Sequence, residues 1–311
     1  MKKRWIIALF LLILALSGCG GKKIADGDGY TFTDDLGREI TVNEPQRTAA
    51  LLGSFAQIWQ LAGGEICATA DDAWDDLGLA LPEDAVNLGG TENLNLELLL
   101  ASKPDFILAS TNRKQNMQWK ETLEATGIPV AYFDVDDFAD YLRMLEICTN
   151  ITGQKDNYYT HGTAVLAQIQ RVMKASEIRL EGKQPPKVLC MVASASAVYV
   201  KNSQGNVLGA MLNRLGCVNI ADGNQALMDK VSMEHILMEN PDYIFFVQRG
   251  DNAEGMKAYV QELLMADPAW GRLTAVQNDR VYFMDKNLFN LKPNHRWGEA
   301  YEILEGILSD E

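Results

Sequence analysis

The sequence predicts an α/β protein made of two α/β lobes with parallel sheets, joined by one long rigid α-helix. Three observations carry that prediction. Short apolar runs alternate with amphipathic stretches on both sides of residues 154–181, and strands that are apolar throughout and separated by helices imply parallel sheets covered on both faces. The stretch 154–181 has no proline and one glycine and sets Val165, Ile169, Val172 and Met173 at helical spacing, which makes a rod of about 40 Å at ~1.5 Å per residue. One motif is written twice, as "NLELLLASKPDFILAS" from Asn95 and "VSMEHILMENPDYIFFV" from Val231, once in each half.

The elements follow in order. Lys2, Lys3 and Arg4 precede an unbroken apolar run from Trp5 to Leu16, and Ser17-Gly18-Cys19 closes it. That layout is an export signal over residues 1–18, too short for a permanent membrane span. Leu16-Ser17-Gly18-Cys19 resembles a bacterial lipobox, which makes Cys19 the lipidated first residue of the mature chain and anchors it to the membrane on the extracytoplasmic face. Removal of the signal takes three basic residues and no acidic one, moving the formal charge from −14 to −17. Nucleic acid and anionic lipid are poor partners for such a surface. Residues 19–29 are glycine-rich and polar and read as a tether.

"YTFTDDLGREITV" alternates on both sides of Asp35-Leu36-Gly37 and predicts a β-hairpin. Strands are expected at "TAALLG", "EICATA", "DFILAS" and "IPVAYFDV", with helices between them and another from Phe138 to Asn150. These fill an N-terminal lobe over 30–152. The connecting helix occupies 153–183 and stops at "GKQPPK". Residues 184–311 make the C-terminal lobe, with strands "VLCMVAS", "YIFFVQ" and "RVYFMD" and a terminal helix from Trp297, and the whole is expected as a monomer. Cys67, Cys148, Cys190 and Cys217 include no CxxC pair and read as buried thiols, with disulfides left open.

In the repeated motif Asn95 and Ser232 are N-cap residues, so Glu97 and Glu234 fall in the first turn of their helices, beside unsatisfied amides and the positive end of the dipole. Any helix start favours a carboxylate there, by about 0.3–1 kcal/mol. Matched anions on two rigid bodies also make a two-point docking surface.

From Tyr30 to the C-terminus the sequence resembles the class III substrate-binding proteins of ABC importers, the periplasmic-binding-protein type with a helical backbone. The resemblance rests on "FTDDLGREITV", both copies of the repeat, the long helix, "ADPAW" ahead of "RVYFMD", and "KPNHRWGEAYEIL". It implies a receptor without enzymatic activity or intrinsic cofactor that captures a metal chelate outside the cytoplasm, foremost a ferric siderophore, with haem or cobalamin as alternatives. It also implies an ABC permease and its ATPase as partners, with Glu97 and Glu234 meeting arginine pockets on the permease.

Ligands of open α/β sheets sit beyond the carboxyl ends of the strands. The loops expected there supply Ser54, Phe55, Trp74 and Arg113 on the first lobe and Tyr199, Arg249, Lys292, His295 and Arg296 on the second. Trp74 and Tyr199 suit a flat or apolar ligand, the cations a chelate's negative charge, and His295 an axial haem position. Converging His, Asp or Glu ligands for a free metal ion are not evident. An enzyme or a cell-surface sensor on the same fold is the rival class, but GxSxG, P-loop, HExxH and GxGxxG patterns are missing.

Overall fold

The computed structural model describes residues 29–310, so the export signal, Cys19 and most of the tether lie outside the described residues. The body starts with the expected hairpin, β1 (Tyr30–Thr33) antiparallel to β2 (Glu39–Val42). Asp34 makes the turn: its carboxylate accepts the N–H groups of Leu36 and Arg38 at 3.0 Å and of Tyr132 at 3.2 Å, and binds the Arg38 guanidinium at 2.5 Å. Gly37 supplies the left-handed φ of 74° that closes it.

The first lobe is a parallel sheet of β3 (Thr48–Ala50), β4 (Ile66–Thr69), β5 (Val86–Asn87), β6 (Phe106–Ser110) and β7 (Val130–Phe133) in the order β5-β4-β3-β6-β7. Its helices are α1 (Gly53–Leu61), α2 (Asp72–Asp75), α3 (Leu96–Ala101), α4 (Lys114–Gln118), α5 (Lys120–Glu124) and α6 (Phe138–Thr152). The second lobe contains β8 (Lys187–Ala193), β9 (Val198–Lys201), β10 (Val218–Asn219), β11 (Tyr243–Gln248) and β12 (Val281–Met284), with the path β10-β8-β11-β12 all parallel. β9 departs from the expected pattern, because it runs antiparallel along β8. A tight turn causes this reversal: Ser194 N–H donates to the Ala197 carbonyl at 2.8 Å, and Ala197 N–H donates back to Ser194 Oγ at 3.1 Å.

The connecting helix is continuous in its backbone from α7 (Lys155–Tyr158) through a π-turn at Tyr159–Thr163 into α8 (Ala164–Leu180). Short helices α9 (Val207–Arg214), α10 (Gln225–Asp229), α11 (Met233–Glu239), α12 (Ala253–Val260), α13 (Thr274–Gln277) and α14 (Lys286–Phe289) cover the second sheet. The terminal helix α15 (Trp297–Ser309) lies along α8, where Arg179 Nε meets Glu305 Oε1 at 2.9 Å. One apolar core therefore runs from Phe55, Phe133 and Tyr141 in the first lobe, through Val165, Ile169, Val172 and Trp297, to Val188, Met211 and Phe245 in the second. Separating the lobes would expose that seam, at about 25 cal/mol per Å² of apolar surface.

The Pro-Asp half of the repeat has a structural task in both lobes. Lys103 and Asn240, each just before the proline, take φ of 51° and 45° and turn the chain from helix to strand. Asp105 then exchanges hydrogen bonds with Arg47 at the start of β3, and Asp242 does the same with Lys187 at the start of β8. Three of the cysteines are buried, Cys67 is half-buried, and none of the four is paired.

Candidate functional site

Strand order places the site. In the first sheet the chain reverses direction of growth between β3 and β6, and in the second between β8 and β11, so a crevice opens beyond the carboxyl ends of these pairs. Two adjoining cavities of about 330 and 550 Å³ occupy that position, sharing Arg113, Asp136, Gly205, Asn290, Leu291 and Lys292 in their walls. Leu52 and Ser54 after β3, and Asn112 and Arg113 after β6, belong to the first lobe's wall; Val192, Tyr199, Lys201 and Arg249 belong to the second's. The cavities form one interlobe cleft.

Of the residues expected there, Ser54, Arg113, Tyr199, Arg249 and Lys292 line the cleft. The other four lie elsewhere. Phe55 is 1% exposed and packs edge-on to Phe133 at 6.4 Å, because it starts the inner face of α1. Trp74 sits half-buried within α2 and lines neither cavity. His295 turns back toward the connecting helix, its ring 6.0 Å from that of His161; burial, with His161 and Arg296 adding, lowers its pKa. Arg296 is held by a bidentate pair with Glu299 at 2.7 Å.

Lys201 and Asp136 complete the charged lining and were missed from the sequence; Asp72 joins them from the start of α2. The signal for Lys201 was present: "VYVK" alternates, so Val198 and Val200 face the core while Tyr199 and Lys201 share the other face. Reading the segment as a loop hid it.

Electrostatics separates the four cleft cations into two pairs. Arg113 meets Glu92 at 2.5 Å, and Lys292 meets Asp136 at 3.2 Å. Arg249 and Lys201 have no acidic partner among the described residues. Asp72 faces the same space and accepts the Gly53 N–H at 2.8 Å, which caps α1 in place of the apolar Leu52. Burial, with Asp76 and Asp71 adding, pushes its pKa up to about 6. Gly53 is required at this junction, since a Cβ there would stand 2.5 Å from the Ala73 nitrogen. Among the described residues no group of three or more His, Cys, Asp or Glu side chains is arranged to hold a metal ion.

A two-lobed body with a cation-lined cleft, a long connecting helix and matched helix starts is the architecture of a solute receptor, and residues 49–288 match the family described as periplasmic binding protein. The chain belongs to that family. Among its relatives is the Fe(3+)-citrate-binding protein YfmC of Bacillus subtilis (strain 168), 25% identical over 295 residues that cover 90% of this chain and 88% of that protein. The uncharacterized ABC transporter substrate-binding lipoprotein YvrC of the same organism is 25% identical over 333 residues, covering 100% and 99%. Staphylococcus aureus SirA complexed with staphyloferrin B superposes with a TM-score of 0.67 at 20% identity, covering 90% of this chain and 99% of that one. This last likeness speaks for the fold alone.

The repeated glutamates of this periplasmic binding protein stand at the expected helix starts. Asn95 accepts the Leu98 N–H at 3.0 Å and Ser232 accepts the His235 N–H at 3.5 Å, and both Glu97 and Glu234 are exposed. Helices in such units run antiparallel to their strands, so both starts lie toward the carboxyl edge of their sheet, the side on which the cleft opens.

Proposed function

We propose that this chain is the extracytoplasmic substrate-binding component of an ABC importer and that it captures an anionic ferric chelate, of carboxylate-bearing siderophore or citrate type, in the interlobe cleft. Lys201 and Arg249 carry this reading. Two cations without an acidic partner among the described residues face a cavity in a chain of net charge −14, and charge-assisted bonds to carboxylates satisfy them. The name of the relative YfmC supports the same ligand class. Haem or cobalamin is less well supported, because among the described residues Tyr199 is the only aromatic one in the cleft walls and His295 faces the connecting helix.

Cys19 carries the lipid anchor in this reading, consistent with the lipoprotein named among the relatives. Glu97 and Glu234 dock on the permease through directional pairing to arginine, and ATP hydrolysis by the importer's ATPase drives release of the chelate. The protein works as a monomer.

Fluorescence titration tests the ligand. Ferric citrate should bind, and Lys201→Ala with Arg249→Ala should weaken it by at least about a hundredfold, in line with loss of two charged hydrogen bonds worth ~1.5–3 kcal/mol each. Haem binding tighter than ferric citrate, or full affinity in the double variant, would overturn the assignment.

A further inference from the structure

The ion pairs that cross between the lobes all have one polarity among the described residues. Arg214 in α9 meets Asp137 at 2.5 Å, Lys286 in α14 meets Asp76 at 2.6 Å, and Lys292 meets Asp136 at 3.2 Å. Each cation comes from the second lobe and each carboxylate from the first. Lys286 differs from the other two in gripping a second carboxylate, Asp251, on its own lobe.

Its surroundings explain why that matters. A cavity of about 300 Å³ at the cleft rim is lined by Asp71, Asp72, Asp75, Asp76 and Glu92 of the first lobe and faces Asp251 of the second. Like charges across that gap push the lobes apart. Lys286, with its side chain 18% exposed, is the cation between them, and the adjacent Asn287 adds a hydrogen bond from Nδ2 to the Asp76 carbonyl at 3.1 Å. The shared core along α8 and α15 also joins the lobes, and it reaches Leu288 and Phe289 in the helix that carries Lys286.

We infer that Asp76, Lys286 and Asp251 form a latch at the rim, outside the ligand's own contacts, which holds the lobes closed and sets how fast the chelate leaves. The release part rests on the ligand reading above; the closure part does not. Without Lys286 the attraction is lost and Asp76 confronts Asp251, so the rim opens. Without the Asp76 charge only the attraction is lost.

Spin labels at exposed Glu121 and Glu262, in a Cys67→Ser background, report lobe separation with no ligand present. Lys286→Gln should lengthen and broaden that distance, Asp76→Asn should lengthen it less, and the double variant should resemble Asp76→Asn alone, because removing both partners also removes the repulsion. Ferric citrate release from Lys286→Gln, followed by stopped-flow fluorescence, should be about tenfold faster with association nearly unchanged. An unchanged separation in both single variants, or strictly additive effects in the double, would overturn the latch. If the wild type fails to bind any ferric carboxylate, the ligand reading fails while the distance measurement still decides the latch.

Discussion

Single residues set the chemistry of this receptor. Asp72 faces the cleft with a pKa raised to about 6, from an ordinary value of 3.8. Between those values the folded protein holds more protons than the unfolded chain, so this group's contribution to stability falls as pH rises through the window and is level above it. The same titration neutralises a carboxylate that repels an anionic ligand. Affinity for a ferric carboxylate should therefore rise about three- to tenfold from pH 7.5 to pH 5.5, and Asp72→Asn should flatten that component when titrated alongside the wild type. Asp34 is the structural counterpart. Burial works to raise its pKa, but hydrogen bonds from Arg38 and Tyr132 outweigh it and leave the pKa lowered. Its stability is present above the ordinary carboxylate value and lost as pH falls through the lowered one. Asp34→Ala removes the acceptor of the Leu36, Arg38 and Tyr132 N–H groups, while Arg38 keeps Glu124 and the Val130 carbonyl, and should cost about 1–3 kcal/mol in denaturant unfolding. In the sequence this residue was visible only as the lead-in to the expected hairpin turn; its hydrogen bond to a strand 98 residues away was not.

At the scale of elements, the duplicated motif divides into two tasks. The Pro-Asp end ties the start of its strand to the start of the neighbouring strand in both lobes, and the glutamate end leaves an exposed anion at a helix start. Removing the caps should be felt locally: Asn95→Ala should lower stability by about 1 kcal/mol in denaturant titration, while leaving ligand affinity unchanged. Long periodic elements were legible, because the apolar spacing of α6, α8 and α15 and the continuous runs of β6, β8 and β11 have no competing reading. Short ones were not. β9 is four residues long and opposes the parallel pattern around it, and its turn is made by Ser194 and Ala197 without glycine or proline. That one omission moved Tyr199 into a loop and concealed Lys201. His295 and Arg296 were misplaced for a related reason: a 3-10 turn at Asn294–Arg296, anchored by Asn294 Nδ2 to the Ser54 carbonyl at 2.9 Å, aims both side chains away from the cleft.

For the whole molecule, two sheets and one rod were readable, whereas the joining of both lobes into one core through α8 and α15 required tertiary contacts that no local pattern encodes. That shared core favours small rocking of stiff lobes over wide hinge motion. If the permease reads both lobes at once, Glu97→Ala with Glu234→Ala should leave chelate affinity intact and abolish uptake in cells carrying the importer; normal uptake by the double variant would remove the docking role. The central claim is that a cation-lined cleft on an acidic receptor selects an anionic ferric chelate. Its most direct measurement is the absorption spectrum, with metal and mass analysis, of the protein purified from its native host. Equimolar iron bound to a polycarboxylic chelator, with ferric charge-transfer absorption, is the predicted result, and a haem Soret band or a corrinoid spectrum would contradict it.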